Sequence, residues 1–333
     1  MQVSKILAVT IASTAILLSS SPIQGDALIE KAKHNGLIPI PQKESELLKL
    51  TDPKGTITPQ RVSLGKQLYF DPRLSLDGKI SCHTCHLLNA GGVDGIPTSI
   101  GHKGTPNPHH INAPTVYNAV FFDRQFWDGR SPDLEDQAQG PMQDKAEMAI
   151  TKDVAVKRIT DIPEYVESFK KAYGKDVKID FEKIASTIGI YERTLVTPSR
   201  YDDFLHGDTK ALTLAEQEGL ALFIETGCSA CHIGIAIGGQ MQPFDLSSAF
   251  EHNDVGDFKG DKDGMIKAPS LRNVSQTAPY FHNGTVPTLL EAIKTMGKVQ
   301  LLVDISDADA KKIETFLKSL EGRKPNTKAP KLP

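Results

Sequence analysis

One five-residue pattern, present twice, constrains this chain more than any other feature. The copies are Cys82-His83-Thr84-Cys85-His86 and Cys228-Ser229-Ala230-Cys231-His232, and together they use all four cysteines. Two thiols three positions apart can each form a thioether bond with a haem vinyl group, and the imidazole of the next residue can then reach the iron. The pattern predicts two covalently bound c-type haems on Cys82, Cys85, Cys228 and Cys231, with His86 and His232 as proximal ligands.

Other uses of paired cysteines explain the pattern less well. Two local disulfides, a thioredoxin-like redox pair and a four-cysteine zinc site would each account for the spacing of the thiols. None of them requires a histidine directly after the second cysteine, yet both copies have one and no cysteine is left over. The sequence therefore favours a c-type cytochrome with two irons.

Residues 1–25 have the pattern of a secretory signal peptide. Lys5 precedes an apolar stretch, 6–18, and three serines follow it. The stretch is shorter than the roughly 20 apolar residues of a membrane-spanning helix, and no cysteine is nearby to carry a lipid. We expect cleavage near Gly25, export to the periplasm and no membrane anchor, in agreement with haem attachment outside the cytoplasm.

The charge of the chain excludes some classes of partner. The formal net charge is -3, from 38 basic and 41 acidic residues. A chain so close to balance has no electrostatic support for binding nucleic acid or an anionic membrane.

An internal repeat relates the two halves. The segment 113–118 matches 268–273 at an offset of 155 residues (268 minus 113), and the match continues without a gap to Leu134 and Leu289. The cysteine motifs are related by a similar offset of 146 (228 minus 82). We expect a mainly α protein in which duplication produced two cytochrome c-like haem domains with long loops. Their predicted bounds are 26–200 and 201–333.

The apolar spacing predicts helices in both halves and no run of alternating strands. Segment 180–195 carries its apolar residues on one face, and Thr213 with Glu216 forms a capping box that begins another helix. Further helices are expected to begin at Pro287 and to cover 307–320.

Three segments are predicted to lack regular structure. The Pro/Gly-rich segments 90–114 and 234–269 are expected to be loops that cover the haem faces. The Lys/Pro-rich tail, 323–333, is expected to be a solvated end or a strap across the surface.

The sixth iron ligand decides between electron transfer and peroxide binding. In the second half the possible ligands are Met241, Met265 and Met296, and Met296 lies in the helix that follows the repeat. A thioether ligand would raise the reduction potential and make this the electron-accepting haem. Methionines at helical spacing also serve as core residues, so the spacing alone leaves both roles open.

The first half cannot use the equivalent position, because Pro141 occupies it (296 minus 155). The histidines that follow the first motif are His102, His109 and His110, all within a Gly/Pro-rich loop. A histidine in a mobile loop is suited to reversible ligation. Peroxide cleavage also needs a carboxylate above an open haem, and Glu135, Asp136, Asp144 and Glu147 are all possible.

Longer motifs stand in a fixed order along the chain, at 82–86, 102–104, 112–115, 126–130, 134–141, 147–148, 228–232 and 279–284. In this order they resemble the bacterial dihaem cytochrome c peroxidases over essentially the whole mature sequence. The resemblance implies an enzyme that reduces hydrogen peroxide to water with electrons from a small c-type cytochrome or cupredoxin. It also implies a homodimer.

The resemblance implies roles for individual residues. His102 corresponds to the distal histidine of the low-potential peroxidatic haem, which leaves the iron once the other haem is reduced. Glu147 is similar to the catalytic acid/base, Gln137 to the polar residue beside it, and Trp127 to the tryptophan between the haems. Met296 matches the axial methionine of the high-potential haem.

The resemblance also implies a calcium ion at the domain interface. Asn112, Thr277 and Pro279 match positions that bind calcium partly through backbone oxygens, a hard-ligand set that suits this cation. One departure from the family lies in segment 106–110, where Pro-Asn-Pro-His-His replaces a Gly/Arg-containing stretch. The identity of the switch ligand among the three loop histidines therefore stays open.

Two other functions are consistent with two haem motifs. One is a related dihaem oxidant that modifies tryptophans of a partner protein and has a tyrosine in place of the axial methionine, which Met296 argues against. The other is an electron carrier with both irons six-coordinate, which would not need Glu147, Gln137 or the tryptophan segment.

Overall fold

Helices and loops make up nearly all of the computed structural model, which describes residues 25–244 and 250–333. The α-helices of the first half are α1 (Gly25–His34), α2 (Glu44–Thr51), α3 (Pro59–Tyr69), α4 (Cys82–Cys85), α5 (Leu134–Gln137), α6 (Gln139–Gln143), α7 (Lys152–Thr160), α8 (Pro163–Tyr173) and α9 (Phe181–Glu192). Those of the second half are α10 (Arg200–Leu205), α11 (Leu214–Glu225), α12 (Leu289–Met296) and α13 (Asp307–Lys318). The mainly α prediction is confirmed, and the predicted signal peptide lies outside the described residues apart from Gly25.

Short elements complete the fold. The 3₁₀ turns are Pro72–Leu74, His102–Gly104, Ala119–Phe121, Cys228–Ala230 and Val274–Gln276, and Gly297–Leu301 is a π-helix. Two antiparallel strands, β1 (Met241–Pro243) and β2 (Met265–Lys267), place Gln242 opposite Ile266. In the described part of the chain, none of the helices has both the length and the apolar character needed to cross a membrane.

The residues that the sequence predicts to begin helices lie at or near the N-termini of helices. The Thr213 hydroxyl accepts from the N–H of Glu216, and the Glu216 carboxylate accepts from the N–H of Thr213, so a capping box begins α11. Asp180 caps α9 in a similar way. Helix α12 begins at Leu289, two residues after Pro287, because Thr288 is its N-cap.

Of the three hydrophobic clusters among the described residues, the two larger ones contain most of the helices. The first core contains the buried faces of α3, α7, α8 and α9. The second contains those of α10, α11, α12 and α13, and it also takes in Leu28, Ile29 and Ala32 of α1. The first core contains only residues before 200, whereas the second combines α1 with helices after 200.

A glycine permits the closest helix contact in each core. A methyl group on Gly65 of α3 would collide with the carbonyl oxygen of Thr187 in α9. A methyl group on Gly219 of α11 would collide with the carbonyl oxygen of Lys312 in α13. In each half, the helix before the cysteine motif therefore crosses a later helix with backbone against backbone.

The C-terminal tail runs across the first half as a strap. The Lys66 amine donates to the carbonyl of Asn326 at 2.9 Å, and the Arg73 guanidinium donates to the carbonyl of Pro333 at 3.1 Å. At the start of the tail, Arg323 pairs with Asp203 at 2.8 Å. Of the two expectations for this segment, the strap is the one observed.

Candidate active site

The first cavity has a volume of about 590 Å³ and lies beside the first cysteine motif. Helix α4 carries both cysteines, and Ser81 precedes it in a capping box with Thr84. The side chains around this cavity include the motif and three predicted site residues: Cys82, Cys85, His86, Trp127, Gln137 and Glu147. Residues that can attach a haem therefore line the same cavity as a residue that can transfer a proton.

The second cavity is narrower, about 150 Å³, and lies beside the second motif. Its lining includes Trp127, Cys228, Cys231, His232, His282 and Met296. Met296 ends α12 where the π-helix begins, an irregular turn of a kind often found at functional sites. Met241 and Met265 lie in β1 and β2 and are not part of this lining.

The motif residues of both halves fit a covalently bound haem. The structure has no disulfide between the four cysteines, so each sulfur is available for a thioether bond. The Nδ1 atom of His86 lies 3.4 Å from the carbonyl oxygen of Gly92, and that of His232 lies 3.4 Å from the carbonyl oxygen of Ile237. A backbone carbonyl at Nδ1 orients each ring and leaves Nε2 for the iron. Burial lowers the pKa of His86 and lowers that of His232 to about 4, so both rings stay neutral and able to ligate.

Glu147 has the surroundings that proton transfer requires. Its side chain lines the first cavity after a turn in which its N–H donates to the carbonyl of Asp144 at 3.0 Å. Burial, with a smaller contribution from the Asp144 carboxylate, raises the pKa of Glu147 to about 7. A carboxyl group with such a pKa can both give and take a proton near neutral pH.

The other acidic candidates are differently placed. Glu135 pairs with Arg193 at 2.6 Å, and Asp136 accepts a hydrogen bond from the Ser131 hydroxyl. Asp144 also lines the cavity, but its side chain is exposed and accepts from the N–H of Ala146. Of the four, Glu147 is the one that lines the cavity and is not exposed to solvent.

His102 does not line the first cavity. Its ring nitrogen Nδ1 lies 3.5 Å from the carboxylate of Asp77, beyond good hydrogen-bond geometry. Its backbone N–H donates to the carbonyl of Glu147 at 2.8 Å. The loop that carries His102, the predicted switch ligand, is thus hydrogen-bonded to the segment that carries Glu147, the acid/base candidate.

The other two loop histidines face different groups. His109 lines the first cavity, and its Nδ1 lies 2.9 Å from the carboxylate of Asp257, a pair that is largely exposed. The Nδ1 atom of His110 lies 3.4 Å from the Thr98 hydroxyl.

Trp127 lies between the two cavities and contributes to the lining of both. Its indole N–H donates to the backbone carbonyl of Asn112 at 3.0 Å, and its ring meets His282 edge to face at 6.4 Å between centroids. The indole is 8% exposed. A rigid aromatic side chain therefore separates the two chambers.

Asn112 connects the two halves of the chain, and its side-chain oxygen accepts no hydrogen bond from the described residues. Its N–H donates to the carbonyl of His282 at 2.8 Å, while its side-chain amide donates to the carbonyl of Ile96 at 2.9 Å. With that assignment of the amide, Oδ1 remains available as a ligand. Thr277 and Pro279 stand shortly before His282 in the chain. Within residues 25–244 and 250–333, no group of three or more His, Cys, Asp or Glu could hold a metal, so calcium here would need amide and backbone oxygens.

Two buried ionisable residues near the cavities were not found from the sequence. Glu192 is 6% exposed at the end of α9 and lines the first cavity, and burial raises its pKa to about 8. Lys267 is 3% exposed and lines both cavities. Nothing in the sequence distinguishes either residue from a surface charge, because their burial comes from contacts with distant segments.

These observations define a class of protein, a c-type cytochrome with two unequal haem sites. A family model described as di-haem cytochrome c peroxidase matches residues 59–210, and a model described as RoxA-like, cytochrome c-like matches 266–300. The cytochrome c551 peroxidase of Pseudomonas aeruginosa is 44% identical over 96% of this chain and 94% of its own length. That of Nitrosomonas europaea is 44% identical over 84% of this chain and 86% of its own.

A solved structure agrees with the sequence comparisons. The crystal structure of a MauG-like protein associated with microbial copper homeostasis superposes with a TM-score of 0.71 at 28% identity, over 86% of this chain and 93% of that one. The chain belongs to the di-haem cytochrome c peroxidase family. It is an oxidoreductase that acts on peroxide and uses two c-type haems.

Proposed function

We propose that this enzyme reduces hydrogen peroxide to water in the first cavity, with electrons that enter through the second. The proposal rests on one observation, the unequal contents of the chambers. Glu147 and Gln137 accompany the first motif, whereas Met296 accompanies the second. A polar chamber with a proton-transfer group suits peroxide, and a thioether beside the other motif suits a high-potential electron entry site.

Glu147 and Gln137 perform the proton chemistry. When bound, the first haem supplies an iron at which peroxide can bind and be reduced. Glu147 in its ionised form takes the proton from the nearer peroxide oxygen and then gives it to the farther oxygen, which leaves as water. Gln137 donates or accepts hydrogen bonds beside it and holds the peroxide in place. Two electrons and two further protons complete the formation of two water molecules.

His102 is the proposed displaceable ligand of the first haem, and Trp127 is the proposed path for the electron between haems. The bond from the His102 N–H to the Glu147 carbonyl supports a coupled movement of the loop and the acid/base segment. The position of Trp127 in the lining of both cavities supports its role.

Calcium at the interface is also part of the proposal, with Asn112, Thr277 and Pro279 as ligands. The Oδ1 atom of Asn112 supports it, because this oxygen accepts no hydrogen bond from the described residues. We expect one calcium per chain by elemental analysis and its loss in Asn112→Ala. Asn107→Ala, on the same loop, should retain it, and equal calcium in both variants would contradict the assignment.

We further propose that the two halves, 26–200 and 201–333, arose by duplication and that long loops cover the haem faces. Backbone geometry supports the repeat at the 155-residue offset. Phe126 and Phe281 have φ of 65° and 68°, and the isolated bridge between Gln125 and Ser131 corresponds to that between Tyr280 and Val286. We also propose that the enzyme is a homodimer in the periplasm and that a small c-type cytochrome or cupredoxin supplies its electrons.

The test is peroxide-dependent oxidation of a reduced small c-type cytochrome by two forms of the enzyme. We expect turnover after reduction of one haem and little turnover by the fully oxidised form. Turnover in both forms would retain the peroxidase and remove the gating role of His102. No turnover in either form, with both haems present, would overturn the proposal in favour of an electron carrier or an oxidant of partner tryptophans.

A further inference from the structure

Lys267 occupies an unusual position between the two chambers. It is the last residue of β2, and its backbone N–H donates to the carbonyl of Trp127 at 2.8 Å. Its side chain lines both cavities and is 3% exposed. The amine lies 4.6 Å from the centroid of the Phe122 ring. The polypeptide thus places an amine beside Trp127, in the lining that the two cavities share.

This amine has no anionic partner among the described residues. Its one charged neighbour, Asp128, is held by Arg130 at 2.8 Å and 3.0 Å. Burial accordingly lowers the pKa of Lys267 to about 7, and Asp128 offsets only part of that shift. The Phe122 ring also favours the charge, through a cation–π contact.

An unpaired buried ammonium is strongly unfavourable, so such groups are paired or lose their proton. Lys267 forms no ion pair with the described residues and lines both cavities, so a molecule that fills them can supply the missing partner. Each haem has two propionate carboxylates, which are anions of the required kind. The described residues that line both cavities include no carboxylate, so a propionate is the anion that can reach Lys267 from inside them.

We propose that Lys267 binds a haem propionate at the junction of the two cavities and thereby raises the reduction potential of that haem. A cation beside a haem stabilises the reduced form, which has one less positive charge, and it also neutralises the propionate. Lys267 is therefore a positioning and potential-setting residue for electron transfer past Trp127. The inference depends on the presence of two haems and not on the proposed peroxide chemistry.

The test is a spectroelectrochemical titration of both haems in the holoenzyme and in Lys267→Met and Lys267→Arg. We expect Lys267→Met to lower the potential of one haem by an amount that corresponds to at least a tenfold change in its reduction equilibrium, about 59 mV for one electron. Lys267→Arg should largely retain the potential. The haem whose potential falls identifies the propionate that is bound.

Lys259→Met is the matched control, because Lys259 also lines the first cavity but is exposed. Because water screens the charge of Lys259, we expect this variant to change the reduction potentials much less. Unchanged potentials in folded, two-haem Lys267→Met would overturn the proposal. If that variant fails to retain its haems, Lys267→Gln, which removes the charge and keeps a polar side chain, is titrated in its place, and unchanged potentials would equally overturn the proposal.

Discussion

At the scale of single residues, the surroundings of Glu147 affect its proton chemistry more than the type of side chain does. Asp144 is three positions away and lines the same cavity, yet burial raises the pKa of Glu147 and leaves Asp144 exposed. A carboxyl group that exchanges protons near neutral pH is useful for cleaving peroxide, whereas a solvated carboxylate is a weak acid catalyst.

Replacement of Glu147 by Gln removes the exchangeable proton and keeps the shape of the side chain. We expect peroxide turnover to fall by about 10² to 10⁴, the usual contribution of general acid–base catalysis. Both haem spectra and the thermal unfolding temperature should stay unchanged. Asp144→Asn is the control and should retain most of the activity. An active Glu147→Gln together with an inactive Asp144→Asn would transfer the role to Asp144.

At the scale of elements, the helix pairs α3/α9 and α11/α13 hold the two motifs in place. Each pair crosses at a glycine that sits against a carbonyl of its partner, Gly65 on Thr187 and Gly219 on Lys312. The second motif follows α11 by only a few residues, so the angle of this crossing sets where Cys228 and His232 lie.

Gly219→Ala should therefore destabilise the second half although alanine is the better helix former. The added methyl has no space at the crossing, and overpacking of this kind costs about 1 to 3 kcal/mol. Thermal unfolding of the holoenzyme measures the loss. Glu218→Ala, at the exposed neighbouring position of α11, should change stability by no more than about 0.5 kcal/mol. Equal stability of the two variants would show that the helices can move apart at no cost.

At the scale of the whole molecule, a buried ion pair ties three distant segments together. Both carboxylate oxygens of Asp202 accept from the Arg272 guanidinium, at 2.8 Å and 2.9 Å, and both side chains are almost fully buried. Asp202 also accepts from the N–H of Ile40 at 2.7 Å and from that of Ser199 at 2.7 Å. The segment after α1, helix α10 and the repeat segment 268–273 therefore meet at one carboxylate.

Asp202→Asn should destabilise the fold by about 3 to 5 kcal/mol, because it leaves the buried guanidinium without a counter-charge. Asp203→Asn is a matched control at the next residue. Its ion pair with Arg323 is exposed, and such pairs contribute about 0 to 1 kcal/mol. Denaturant unfolding of both variants measures the difference, and a loss of similar size in the two would show that burial of the first pair has no special effect.

The same pair makes stability depend on pH. Burial alone would raise the pKa of Asp202, but the charge and hydrogen bonds of Arg272, together with the N–H groups of Ile40 and Ser199, outweigh burial and hold the pKa below its usual value. The contribution of the pair is then fully present above the pKa of an unfolded aspartate and is lost as the pH falls through the lower, folded value. Wild type should lose stability in acid more steeply than Asp202→Asn, and parallel curves would contradict this.

Much of the site could be predicted because its chemistry is local in the chain. The haem motifs are complete within five residues, and the capping box at Thr213 and Glu216 needs only four. The helical class and the family followed from such short patterns. The position of Met296 was harder to predict, because the spacing allowed three methionines. Only the packing of α12 places one of them in the lining of the second cavity.

The sequence by itself determined two haem sites, a mainly helical fold and the family of the enzyme, since covalent attachment and helix formation depend on neighbouring residues. Only the tertiary structure decided that α1 joins the second core, that the ring of His102 faces Asp77, and that Lys267 is buried between the cavities. These features depend on contacts between segments far apart in the chain. A charged side chain becomes a functional group instead of a surface group when it is buried and loses its solvent. Burial of this kind requires that the distant segments pack together.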